Sequence, residues 1–171
     1  AGIAEYLADF QREGKDLVGA ERRFTLEIEQ ADVNGSIDRG ERSADGAVVI
    51  VDLKTGNPIT NQDRVNEHPQ LGIYQLAYAE GVLDEALAGF GEHHPGGAKL
   101  LFVKKGVRQK LYREGVQAPL DAEQLEGFRE RIRQAANGMA LAEFVGLRDV
   151  TSWTGATSPH AIHRVRAVSS D

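Results

Sequence analysis

Apolar and polar residues alternate with three different rhythms along the chain. Ile3, Tyr6, Leu7 and Phe10 recur at helical spacing, which predicts a helix of about ten residues ending near Gly14. From Glu21 the period changes to two: Phe24, Leu26 and Ile28 alternate with Thr25, Glu27 and Glu29, the pattern of a half-buried strand. Val33 to Asp38 reads as the next strand, paired antiparallel with it across Gln30-Ala31-Asp32. A polar turn at Ser43-Ala44-Asp45-Gly46 leads into the run AVVIV at 47–51, long enough and apolar enough for a strand covered on both faces.

The second half repeats the alternation of elements. The stretch NPITNQDRVN reads as a polar loop, and His68-Pro69 opens a helix, proline being acceptable in a first turn. His93-His94-Pro95-Gly96-Gly97 reads as a surface loop, Ala98 to Val103 as a strand, and QKLYRE as its hairpin partner. Asp121 and Gln124 form a capping-box pattern. It opens an amphipathic helix to about Asn137, with Leu125, Phe128, Ile132 and Ala135 facing inward and arginines and glutamates on the solvent side.

These elements bring chemistry together at one place. The hairpin through residues 43–46 sets Asp38 beside Asp52, and alternation along the second strand puts Asp52 and Lys54 on one face with Leu53 on the other. Two adjacent carboxylates repel unless a hard cation lies between them, and Mg²⁺ prefers oxygen ligands. A lysine beside such a site can orient or help deprotonate water and stabilise charge on phosphate oxygens. The same three residues also suit an ordinary surface hairpin, because an Asp-x-Lys triplet is common by chance.

Three stretches in fixed order set this chain apart from chance. They are Gly35-Ser36-Ile37-Asp38-Arg39, then Asp52-Leu53-Lys54-Thr55-Gly56, then Gln70-Leu71-Gly72-Ile73-Tyr74. Together they resemble the PD-(D/E)xK nucleases, and specifically the RecB-type nuclease domain found as the C-terminal module of AddAB- and AdnAB-like helicase-nucleases. The resemblance covers roughly residues 21 to 140. It implies an α/β, restriction-endonuclease-like core: a central mixed sheet of about five strands flanked by helices. It also implies cleavage of DNA phosphodiesters with Mg²⁺ or Mn²⁺. Asp38, Asp52 and the Leu53 carbonyl would hold the metal, Lys54 would act on water and phosphate, and Gln70 and Tyr74, four apart on one helical face, would support them. Thr55 belongs to the same motif.

Several positions stay open between two readings. Glu21, at the E-x-x-F position of the resembling family, is either a solvated strand-start glutamate or a third acid near the metal. Arg39 either touches substrate phosphate or pairs with Glu41 or Asp52. Tyr74 in isolation reads as a core residue packing with Leu71, Ala77 and Tyr78, and at this distance after Asp-x-Lys-Thr-Gly it reads as part of the site. Lys104, Lys105, Arg108 and Lys110 form either a DNA-binding patch or a solvated hairpin turn. His68 reads as a helix-start residue outside the metal site, and Gly72 as a point of close approach to the sheet or to DNA.

Composition bounds the class. The 171 residues, 41% hydrophobic, suffice for one core, read as a nuclease domain over 1–150, with a helical lead-in over 1–19, and a tail over 151–171. No apolar run is long enough to span a bilayer, no secretory leader opens the chain, and there is no cysteine, so the expectation is a cytoplasmic protein without membrane attachment. The tail sequence His160 to Ser169 carries His160, His163 and Ser169 where related modules place cluster-binding cysteines, so no iron–sulfur cluster is expected and the tail is read as flexible. With 20 Lys and Arg against 26 Asp and Glu, the net charge of −6 is the wrong sign for unaided DNA binding. The expected partners are therefore DNA, as single strands fed from a duplex end, and a UvrD-type helicase motor in the same polypeptide or complex. The rival readings are a non-catalytic DNA-guiding or subunit-docking module on the same fold, and a small-molecule metal hydrolase.

Overall fold

The computed structural model describes residues 2–104, 106 and 110–140; the tail readings at 141–171, and those for Lys105 and Arg108, lie outside these. The chain runs α1 (Gly2–Arg12), β1 (Asp16–Ile28), β2 (Ala31–Arg42), β3 (Ala47–Lys54), α2 (Gln62–Asn66), α3 (Pro69–Ala79), α4 (Asp84–Leu87), β4 (His94–Phe102), β5 (Arg113–Gln117) and α5 (Ala122–Ala140). The strands form one mixed sheet in sequence order. All neighbours are antiparallel except β3 and β4, which run parallel and are joined by the helices α2 to α4, as a parallel crossover requires.

The central strands are covered on both faces. Val48 and Ile50 of β3, with Ala98, Leu100 and Phe102 of β4, join Leu71, Tyr74, Leu76 and Ala77 of α3 in the main core, while Val51 and Leu101 face α1 through Tyr6 and Tyr112. Phe24, Leu26 and Ile28 supply the buried face of β1, as their alternation predicts. The capping box of α5 is reciprocal: Gln124 N–H donates to Asp121 Oδ1 at 2.8 Å, and Asp121 N–H donates to Gln124 Oε1 at 3.0 Å.

Several boundaries differ from the sequence reading. β1 begins at Asp16 rather than near Glu21 and carries an irregularity between Leu17 and Gly19. β2 extends to Arg42 rather than ending at Asp38. Residues 57–66 are not all loop, since Asn61 caps the short helix α2 through its side chain. His94 to Gly97 belong to β4 rather than to a surface loop. Ala47 and Val48 offer ladder partners there, and Gly97, at φ +90° with the Gln117 carbonyl against it, leaves no room for a side chain. The last strand is Arg113–Gln117, beginning after Tyr112, which packs edge-on against Tyr6, and running past Glu114; Gln109, the first residue of the strand reading, lies outside the described residues. α5 continues to Ala140, and Ala135 is exposed rather than inward.

Gly72 is explained by packing. A methyl group at that position would overlap the Phe128 ring of α5, so the glycine serves the α3–α5 contact rather than an approach of DNA. Gly72→Ala is expected to destabilise the fold by about 1–3 kcal/mol, as overpacking does, and by less in a Phe128→Leu background; paired urea titrations measure both.

Candidate active site

The site forms where β2 and β3 part. Their ladder pairs Arg42 with Val48 and ends at Arg39 with Val51, so the same register carried one step further sets Asp38 opposite Asp52. Side-chain alternation breaks at this point. Ile37, fully buried, belongs to the main core, whereas Arg39 turns to the α1 face and stacks 4.4 Å from the Phe10 ring. On the other side of β2, Glu21 lies between the pairs Ala20–Arg39 and Arg22–Ile37, with a left-handed φ of +51°. Past the last β2–β3 pair, β3 stays paired with β4 to Lys54, and Asp38 Oδ2 accepts the Leu53 N–H at 2.8 Å.

Asp52 is 1% exposed. Its Oδ2 lies 2.7 Å from the Lys54 ammonium and has no well-aligned hydrogen bond among the described residues. A relay then runs through α3. Lys54 Nζ donates to Gln70 Oε1 at 2.8 Å, Gln70 Nε2 donates to the Tyr74 oxygen at 2.8 Å, and the Tyr74 hydroxyl donates to the Ser36 carbonyl at 2.8 Å. The hydroxyl is 3.4 Å from Asp52 Oδ1, so its one proton serves Ser36 first. Residues i and i+4 on one helical face thus tie the lysine to the strand that carries Asp38.

Electrostatics follow from this burial. Burial is the main force raising the Asp52 carboxyl above the ordinary range; the nearby Asp38 adds to it, and Lys54 opposes it. Burial likewise pushes the Tyr74 phenol up to about 12, so it stays a protonated donor at neutral pH. His68, at the start of α3, is held below its ordinary value by burial and by the field of Lys54.

The other residues of interest sort themselves by position. Arg39 donates to Glu41 Oε1 at 2.6 Å, the ion-pair alternative of its two readings. Glu21 is exposed beside the Asp38 strand, and among the described residues no three acidic, histidine or cysteine side chains gather to hold a metal ion. Thr55 is exposed just past β3, and Leu53 turns its side chain outward. Lys104 is exposed two residues beyond Phe102, which pairs with Lys54, so it lies at the same end of the sheet as the site. Lys110 instead donates to the Tyr112 oxygen at 2.7 Å and lies 3.3 Å from Asp9, helping to seat α1. Periodicity gave no sign of the Ser36 carbonyl, because a main-chain acceptor leaves no residue-type signature.

A protein-family model described as the PD-(D/E)XK nuclease superfamily matches residues 1–149. No curated protein matches the chain at a significant level. The mixed sheet flanked by helices agrees with the restriction-endonuclease-like fold of that superfamily, whose members generally use divalent metals. With most of its length covered by the match and its acids and lysine gathered at the parting of β2 and β3, the chain belongs to the PD-(D/E)XK nuclease superfamily.

Proposed function

We propose that the chain is a deoxyribonuclease dependent on Mg²⁺ or Mn²⁺, acting as the exonuclease module of an ATP-dependent helicase-nuclease that processes double-strand ends. The observation that carries the reading is the Asp38–Asp52 pair at the end of β3, with Lys54 fixed beside it by Gln70. The donor set fits a hard cation: a buried carboxylate oxygen that among the described residues meets only one ammonium, a second carboxylate opposite it, and no cysteine in the chain. Asp38, Asp52 and the Leu53 carbonyl would hold the ion. When bound, it supplies a Lewis acid at the scissile phosphate and lowers the pKa of water.

The chain's own residues supply position and charge. Lys54 donates to Gln70 and lies 2.7 Å from Asp52 Oδ2, and among the described residues its ammonium keeps donor capacity for a phosphate oxygen or the attacking water. Gln70 and Tyr74 hold that ammonium in place, which preserves the geometry of attack. The net charge of −6 supports delivery of the strand by another part of a larger assembly, such as a UvrD-type motor.

The test is cleavage of end-labelled single-stranded DNA by this protein with and without Mg²⁺ or Mn²⁺. Metal-dependent shortening from an end is the expected result. No cutting together with no calorimetric metal binding would overturn the assignment and favour a non-catalytic DNA-guiding or subunit-docking module.

A further inference from the structure

His68 stands at the rim of the same site and has no task in the account above. It is the residue before Pro69 at the start of α3, two positions ahead of Gln70, and it makes no side-chain capping bond to its own helix. Its carbonyl, not its ring, accepts the Gly72 N–H. The ring is half-buried, and Nδ1 is sealed from solvent with no hydrogen-bond partner among the described residues. Gln70, two residues further on, accepts from Lys54 Nζ at 2.8 Å, so the start of α3 lies beside that ammonium.

The orphaned nitrogen decides the tautomer. A buried N–H with nothing to donate to is rarer and more costly than a buried lone pair left without a donor, so the proton belongs on Nε2. Burial and the Lys54 field disfavour a second proton. His68 is therefore a neutral ring presenting one N–H. The first turn of α3 has no acidic residue and no side-chain cap, so its free main-chain N–H groups and the positive end of its dipole favour an anion at the same place.

We propose that His68 is a substrate-binding residue of the site, its Nε2–H donating a hydrogen bond to a non-bridging phosphate oxygen of the nucleic-acid strand beside Lys54. The role rests on the nuclease reading for the identity of the strand, but it is a binding role and is measurable without cleavage. As a neutral donor His68 adds affinity without adding repulsion toward Lys54 or a bound cation. That suits a residue placed among charges already fixed.

The experiment measures binding in an Asp52→Asn background with Mg²⁺ present, using fluorescence anisotropy of an end-labelled single-stranded oligonucleotide of about 16 nucleotides. Adding His68→Ala is expected to raise Kd about tenfold, the size of one hydrogen bond to a charged acceptor. His68→Gln, which keeps an N–H at comparable reach, should stay within about threefold of the parent. His68→Phe, which fills the space but cannot donate, should bind as weakly as alanine. Equal Kd for alanine and parent would overturn the proposal, as would full rescue by phenylalanine, since packing alone would then explain the residue. Failure of the parent to bind would overturn it too. The predicted Kd pattern alongside a wild-type protein that never cuts would leave His68 standing and remove the catalytic reading.

Discussion

Replacing Asp52 by asparagine is expected to lower DNA cleavage by about a thousandfold or more while leaving the fold at least as stable as before. The activity half of the expectation follows from the loss of one of two opposed carboxylates, without which the hard-cation site has no buried anionic oxygen. The stability half follows from burial. Asp52 is 1% exposed and its carboxyl lies above the ordinary range, so the folded state binds its proton more tightly than the unfolded chain does. Its contribution to stability is therefore greatest below the usual carboxylate pKa and is lost as pH rises through the raised value. Near pH 8 the ionised side chain is a cost that Lys54 only partly offsets, and asparagine relieves it. Lys54 keeps Gln70 as a partner in the variant. The melting temperature at pH 8 should match or exceed that of the unmodified protein, with the advantage shrinking as pH falls toward 4. Mg²⁺ should raise the melting temperature of the unmodified protein by mass action and not that of the variant. Cutting that survives the substitution would end the assignment of Asp52.

The parts of this site that could be seen in the sequence are those held by local geometry. A hairpin closed by the turn at residues 43–46 sets Asp38 against Asp52, strand alternation sets Asp52 with Lys54, and one helical turn sets Gln70 with Tyr74; each relation lies within one element or one hairpin. What remained hidden is long-range. Nothing near Tyr6 indicates that it will meet Glu41, and nothing near Lys110 indicates Asp9, because those contacts exist only once α1 lies across the sheet. The same cause moved β4 back to His94 and β5 forward to Arg113. Glycine, proline and histidine read as loop until a neighbouring strand supplies the ladder, and tertiary pairing outweighs local preference. His68 shows a third kind of gap: its spacing says helix start, and only the burial of Nδ1 shows which nitrogen is free to bind.

Glu41→Ala is expected to cost about 3–5 kcal/mol, the largest effect on stability of any single change considered. Glu41 is 2% exposed on the face of the sheet opposite α3. It accepts the Tyr6 hydroxyl at 2.6 Å and Arg39 Nε at 2.6 Å, and it lies 3.4 Å from the Lys99 ammonium, itself 5% exposed. Removing the carboxylate strands a guanidinium and a phenol in a nearly dry interface. Lys99 keeps Glu114 at 2.9 Å, but among the described residues Arg39 and Tyr6 keep no hydrogen bond of comparable quality. The penalty comes from these uncompensated groups rather than from lost attraction, which gives the prediction its second arm. Glu41→Met combined with Arg39→Met should cost less than Glu41→Ala alone, because it removes the carboxylate together with the guanidinium it pairs and refills the volume. Urea denaturation followed by circular dichroism should show the single variant's midpoint falling by about 1–3 M and the double variant's by less. Because Arg39 is the residue after Asp38, the network also anchors the strand end that carries the first acid. If the anchor is only scaffolding, Glu41→Ala should cut DNA normally per folded molecule at low temperature. If it sets the position of Asp38, kcat should fall with the fold still intact, and the buried cluster beneath α1 would count as part of the active-site support.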